Sequence, residues 1–154
     1  MIQRIQSLYM LLAVILCGLT YFFPLSHVWG EAGSALTLSA CSVSGEVAGE
    51  SVSGTPWGIA VLLLATIVIA VAAIFRYKHR KAQIRLLNIA MVCLLAGYVA
   101  GIAYTWTWSG RISEGHAAIT PYALLPMAAY LSLWMARRGV RHDEALVAAA
   151  DRLR

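Results

Sequence analysis

The stretch Phe75 to Arg85, FRYKHRKAQIR, decides how the chain is read. It holds five of the twelve Lys and Arg residues, and an unbroken apolar run stands on each side of it. A short basic segment between two apolar runs is the pattern of a cytoplasmic turn joining two membrane helices, because Lys and Arg are retained on the cytoplasmic side. Working outward from that turn orients everything else.

The chain has 154 residues, of which 60% are hydrophobic and only 12% charged, and its mean hydropathy is +0.73. Soluble domains carry about a quarter charged residues, so the deficit points to a bilayer as solvent. A single integral membrane domain over residues 1–154 is expected. The longest stretch outside an apolar run, residues 24–56, is too short and too poor in large apolar side chains to bury a core. The net charge of +5 does not point to nucleic acid. The basic residues gather at the ends of apolar runs, where anionic head groups meet them. The partners expected are membrane lipids, together with a membrane-complex protein or a second copy of the chain.

Four apolar runs are long enough to cross a bilayer, which needs about 20 residues of helix. They are Ser7–Phe23, Trp57–Phe75, Leu86–Trp108 and Ile119–Ala136. The expected fold is all-α: four transmembrane helices in a bundle, followed by a short amphipathic cytoplasmic helix in the tail, residues 137–154. Eleven of the twelve basic residues fall on one side of these runs, in Arg4, the turn 76–85 and the tail; Arg111 is the exception. Both termini and the turn are therefore expected in the cytoplasm. Trp29, Trp57, Trp106, Trp108 and Tyr122 cluster at the outer ends, as amphipathic rings do at an interface.

The start MIQRIQSLYMLLAVILCG has the look of a signal peptide, and Leu38-Ser39-Ala40-Cys41 that of a lipoprotein cleavage box. Phe23-Pro24 ends the apolar run well before Cys41, so the segment is read as a retained first helix. In the loop 24–56, Leu36-Thr37-Leu38-Ser39 and Val43-Ser44 alternate as the strands of a hairpin would. Thr55-Pro56-Trp57 and Thr120-Pro121-Tyr122 resemble one another, with Thr placed to cap a helix and Pro to open it. Similar caps explain that likeness better than an internal repeat does. Gly97-x-x-x-Gly101 is a small-residue face on which another helix packs closely, and four spans in one chain favour a partner helix from the same molecule. Pro126 lies within the fourth run and is expected to bend it. In the tail, Asp143 and Glu144 precede an apolar stripe of Leu146, Val147, Ala150 and Leu153, and Arg152 and Arg154 follow. That order suits the helix dipole.

No Asp, Glu, Lys, Arg or His stands in the middle of any run, whereas ion-coupled transporters place such groups at membrane depth. His27, His116, Glu31 and Glu114 lie on the outer side without metal-ligand spacing. Phosphate-loop, nucleophile-elbow and zincin motifs are missing, and Cys17, Cys41 and Cys93 form no CxxC pair. Neither an enzyme nor a cofactor nor a metal is expected.

Three segments taken together, MIQRIQSLYMLLA at the start, FRYKHRKAQIRL at the turn and RHDEALVAAADRLR at the end, resemble a family of small membrane proteins of the Bacteroidota, the domain of unknown function 4293. The terminal DRLR preceded by Asp-Glu is the most specific part. The resemblance implies four transmembrane helices and a multi-pass protein of the bacterial inner membrane, with the outer side facing the periplasm; it brings no activity, catalytic residue or cofactor. The tail is rich in Ala between Leu146 and Asp151, where relatives are expected to be more polar.

The leading expectation is a non-catalytic accessory or scaffold subunit of a membrane complex. It would dock through a polar cytoplasmic layer of Arg4, Lys78, Arg80, Lys81, Arg85, Asp143, Glu144, Asp151 and Arg152, or through the Gly97/Gly101 face. Gln6 and Gln83 belong to the same layer. The alternative is a small transporter, channel or lipid-handling protein with a neutral cavity between helices near Asn88 and Pro126.

Overall fold

The two long apolar runs flanking the basic turn form α2 (Trp57–Phe75) and α3 (Arg80–Ser109). They are joined by α1 (Ile2–Leu19) and α4 (Leu124–Arg152). The computed structural model describes residues 2–30, 34–47, 49–77, 79–112 and 116–152, without the side chains of residues 2–4, 148 and 150–152. The helices pack in a ring, α1 against α2, α2 against α3, α3 against α4 and α4 against α1. Small and medium side chains recurring every three or four residues make the inner seam. Met10, Ala13 and Cys17 come from α1, and Ile59, Leu63, Ala70 and Ala73 from α2. Leu87, Ala90 and Leu94 come from α3, and Ala129, Leu133, Ala136 and Val140 from α4. The outward faces are apolar too, with Leu8, Leu11, Val61, Val68, Val92, Val99 and Leu131 all exposed. A helix that is apolar all round has no aqueous face.

The structure corrects the expectation of an all-α, four-span bundle. It contains a five-stranded antiparallel sheet built from both outer loops: β1 (Ser26–Trp29), β2 (Ala35–Leu38), β3 (Val43–Val47), β4 (Glu50–Gly54) and β5 (His116–Ile119). The spatial order is β4-β3-β2-β1-β5. The hairpin read from Leu36–Ser39 and Val43–Ser44 is β2–β3, with Leu38 opposite Val43. The other three strands are too short to announce themselves, and β1 pairs with β5, which follows it by some ninety residues, Ser26 opposite Ile119. Pairing across the sheet puts Val28, Leu36, Leu38 and Val43 on one face. There they form a second small core with Ile112, against which Trp108 packs.

Among the described residues, only α2 and α3 are long and apolar enough to cross a membrane. The 19 residues of α2 rise about 28 Å, close to the ~30 Å of a bilayer core. The apolar part of α1 stops at Leu19, where Thr20-Tyr21-Phe22 turn off the axis. The expected fourth span begins with β5 instead of helix, and α4 starts at Leu124. Its apolar portion, Leu124 to Ala136, rises only about 20 Å.

Three local readings change with it. The tail is not a separate amphipathic helix, because α4 runs unbroken through Gly139 to Arg152. Pro126 is the third residue of α4, where its missing N–H costs no helical hydrogen bond, so it does not sit within a span as expected. Neither Thr55 nor Thr120 caps a helix with its side chain. The Thr120 hydroxyl instead lies 2.5 Å from the Pro24 carbonyl and 2.9 Å from that of Leu25, tying the start of α4 to the exit of α1.

Candidate functional site: a basic groove at one end of the helices

The sheet closes one end of the ring, and side chains close the other. The Gln6 Nε2–H of α1 donates to the Asp143 carboxylate of α4 over 2.6 Å. Arg80 of α3 donates to the Asp143 backbone carbonyl at 3.1 Å. Gln83, also on α3, donates to the Ala73 carbonyl in the last turn of α2 at 3.1 Å, a group left without a helical partner by the end of that helix. Gln6 and Gln83 are both buried, so these bonds form where leaving a donor unpaired is costly. All four helices are thereby linked within one layer.

Why α4 continues into this layer is visible at Gly139. A Cβ there would come within 2.9 Å of Gln6 Cγ. Glycine lets α1 and α4 approach closely enough for Gln6 to reach Asp143 one turn further on. The sequence reading ended the fourth run at Ala136 and put a separate helix in the tail, which hid the contact.

Beside the layer lies an open groove of about 1180 Å³ between the α2–α3 turn and the last turns of α4. Arg76, His79, Arg80, Lys81 and Arg85 line it, with Glu144 as the carboxylate on the α4 side and Tyr77, Leu86 and Val147 as apolar walls. Four cations against one carboxylate give it a positive balance of charge, and Arg forks suit carboxylates and phosphates.

Of the expected docking layer, Arg80, Lys81, Arg85 and Glu144 meet around this groove, and Asp143 lies behind it, held by Gln6. Lys78 is outside the described residues, and so are the side chains of Arg4, Asp151 and Arg152. Arg76, Tyr77, His79 and Val147 line the groove without having been singled out. The basic turn named the first three by position, and only the unbroken α4 brings Val147 to them. Gly97 and Gly101 face α2 of the same chain: a Cβ at Gly97 would meet Leu62 at 3.4 Å, and one at Gly101 would lie 3.9 Å from Ile59.

Among the described residues, His27 and His116 belong to no cluster that could hold a metal. His27 bonds Thr37 over 3.1 Å, His116 is exposed on β5, and Glu31 and Glu114 lie outside the described residues. Among the described residues, no three His, Cys, Asp or Glu side chains come together. A smaller cavity of about 130 Å³ lies under the sheet between α2, α3 and α4. Ile59, Leu63, Gly97, Gly101 and Pro126 line it, with the Ser26 and Thr105 hydroxyls, 2.8 Å apart, at its polar edge. Pro126 is where the sequence reading put a cavity; Asn88 is not.

A family model described as "Domain of unknown function (DUF4293)" matches residues 2–153. The chain belongs to this family. The match takes in α1, the basic turn and the whole of α4, so the groove is made of family sequence and not of an appended segment. No curated protein matches the chain.

Proposed function

We propose that the protein is a non-catalytic accessory or scaffold subunit of a membrane complex, and that the basic groove is where an acidic segment of its partner docks. One observation carries this reading. Arg76, Lys81 and Arg85 stand around an open groove beside a layer in which Gln6 and Arg80 are already engaged with Asp143, and Gln83 with the Ala73 carbonyl. The inner bonds make the end of the bundle rigid, and the outer cations stay available. A preorganised charged surface steers and orients an oppositely charged partner.

In this reading α2 and α3 cross the bacterial inner membrane as a hairpin, with α1 and the first half of α4 packed against it. The groove is on the cytoplasmic side, which suits the excess of Lys and Arg in the turn. Gln6 and Asp143 lie at the groove end, so both termini fall on that side, and the sheet lies in the periplasm. The test is the mass and composition of the complex extracted gently from native membranes. A stoichiometric partner that is lost from Arg76→Glu/Lys81→Glu/Arg85→Glu supports the reading, and a lone monomer or homo-oligomer contradicts it.

The cavity of about 130 Å³ under the sheet favours a second reading, a lipid-handling protein or small transporter. Its size is near that of an apolar cavity that takes up benzene, and its walls are mostly aliphatic. Filling it with Gly101→Leu would abolish such a function and leave partner capture intact.

A further inference from the structure

The outward face of α4 carries a second basic cluster, separate from the groove. Trp134, Arg138 and Arg141 are exposed at helical spacing, while Leu133, Ala136 and Val140 behind them are buried. With Arg137 they line a cavity of about 180 Å³. The Arg138 guanidinium lies 5.8 Å over the Trp134 ring. The Arg137 Nε is buried and meets no hydrogen-bond partner, the one such side-chain nitrogen or oxygen among the described residues. A buried guanidinium N–H that the chain leaves unpaired is open to a partner from outside it. The described carboxylate nearest along the helix, Asp143, is turned toward Gln6 and does not supply one.

We propose that Trp134, Arg137, Arg138 and Arg141 bind the phosphate of an anionic phospholipid head group. Three arginines at positions i, i+1 and i+4 of one helix line the same cavity, and guanidinium forks are the donors that phosphate accepts best. Basic pockets on the cytoplasmic side of membrane helices hold such head groups, and an indole is at home at that depth. Leu131 and Met135 are exposed on the same face, one turn toward the sheet. They offer apolar surface to acyl chains, which favours a lipid over free phosphate. The proposal rests on the reading that α2 and α3 lie in a bilayer.

The test reconstitutes the full chain into nanodiscs of phosphatidylcholine doped with phosphatidylglycerol and measures retained lipid by native mass spectrometry. The wild type is expected to keep phosphatidylglycerol over phosphatidylcholine by roughly tenfold, because both carry the phosphodiester but the choline cation of phosphatidylcholine is repelled by the three guanidinium groups. Arg137→Gln/Arg138→Gln/Arg141→Gln should lose that preference, and Arg111→Gln at the opposite end should keep it. Arg137→Lys keeps the charge but removes the Nε–H, and should lower the preference several-fold in a chain that folds normally. Full preference in Arg137→Lys, or release of the lipid by an equal concentration of inorganic phosphate, would overturn the assignment. Entry into discs with no preference overturns the site alone; failure to enter any disc overturns the bilayer reading with it.

Discussion

The two ends of this molecule are closed by different chemistry. At the sheet end, backbone groups of five short strands satisfy one another, over a small apolar core of Val28, Leu36, Leu38, Val43 and Ile112. At the groove end, four side chains from three helices do that work: Gln6, Arg80, Gln83 and Asp143. A backbone ladder is tolerant of side-chain change but intolerant of anything that separates the strands. A side-chain layer behaves oppositely: its members can be removed singly, and removal of Gln6, Gln83 or Asp143 leaves a named partner unpaired. The sheet is therefore suited to capping, and the groove end to being recognised.

The contrast is sharpest at two glycines. Gly45 in β3 has φ +156°, and a Cβ there would lie 2.0 Å from the Ala35 carbonyl oxygen. That atom is backbone and held by the ladder, so Gly45→Ala should be the most damaging small substitution. A loss of about 3 kcal/mol is expected from clash and strain, read as a large fall in Tm in detergent. Next comes Asp143→Ala, which strands the buried Gln6 amide and should cost about 2 kcal/mol. Gly139→Ala pushes on Gln6 Cγ at 2.9 Å, but a side chain can swing where a strand cannot, so about 1 kcal/mol is expected. If Gly139→Ala proved as harmful as Gly45→Ala, the distinction between the two ends would fail. Smallest of all, Arg76→Gln/Lys81→Gln/Arg85→Gln should change stability by less than about 0.5 kcal/mol while reducing partner capture.

The groove end was largely legible in the sequence, and the sheet end was not. Five basic residues in Phe75–Arg85 marked the turn, and α2 occupies the residues read for it, Trp57–Phe75. Arg80, Lys81, Arg85 and Glu144 were all picked out by charge and position. What charge pattern could not reveal was that α4 continues through Gly139, because a Gly after two Arg residues is also how helices end. The sheet escaped for a different reason. Strands such as SHVW and HAAI are four residues long, and neither has a pattern of its own. They become strands because Val28 faces Leu36 on one side and Ala117 on the other, a pairing between loops distant in the chain. The β2–β3 hairpin did carry a signal, the alternation of Leu36–Ser39 and Val43–Ser44, and Gly45 next to it marks a close backbone approach.

The opposition of the two ends across a membrane is the central claim, and cysteine labelling in intact cells tests it most directly. Cys41 is exposed at the sheet end, and Cys17 is buried. A membrane-impermeant maleimide added to cells with a permeable outer membrane should label Cys41. In a Cys17→Ala/Cys41→Ala/Cys93→Ala background, Lys81→Cys should react only after the inner membrane is opened. Labelling of Lys81→Cys in intact cells, or equal labelling at both ends, would contradict the account.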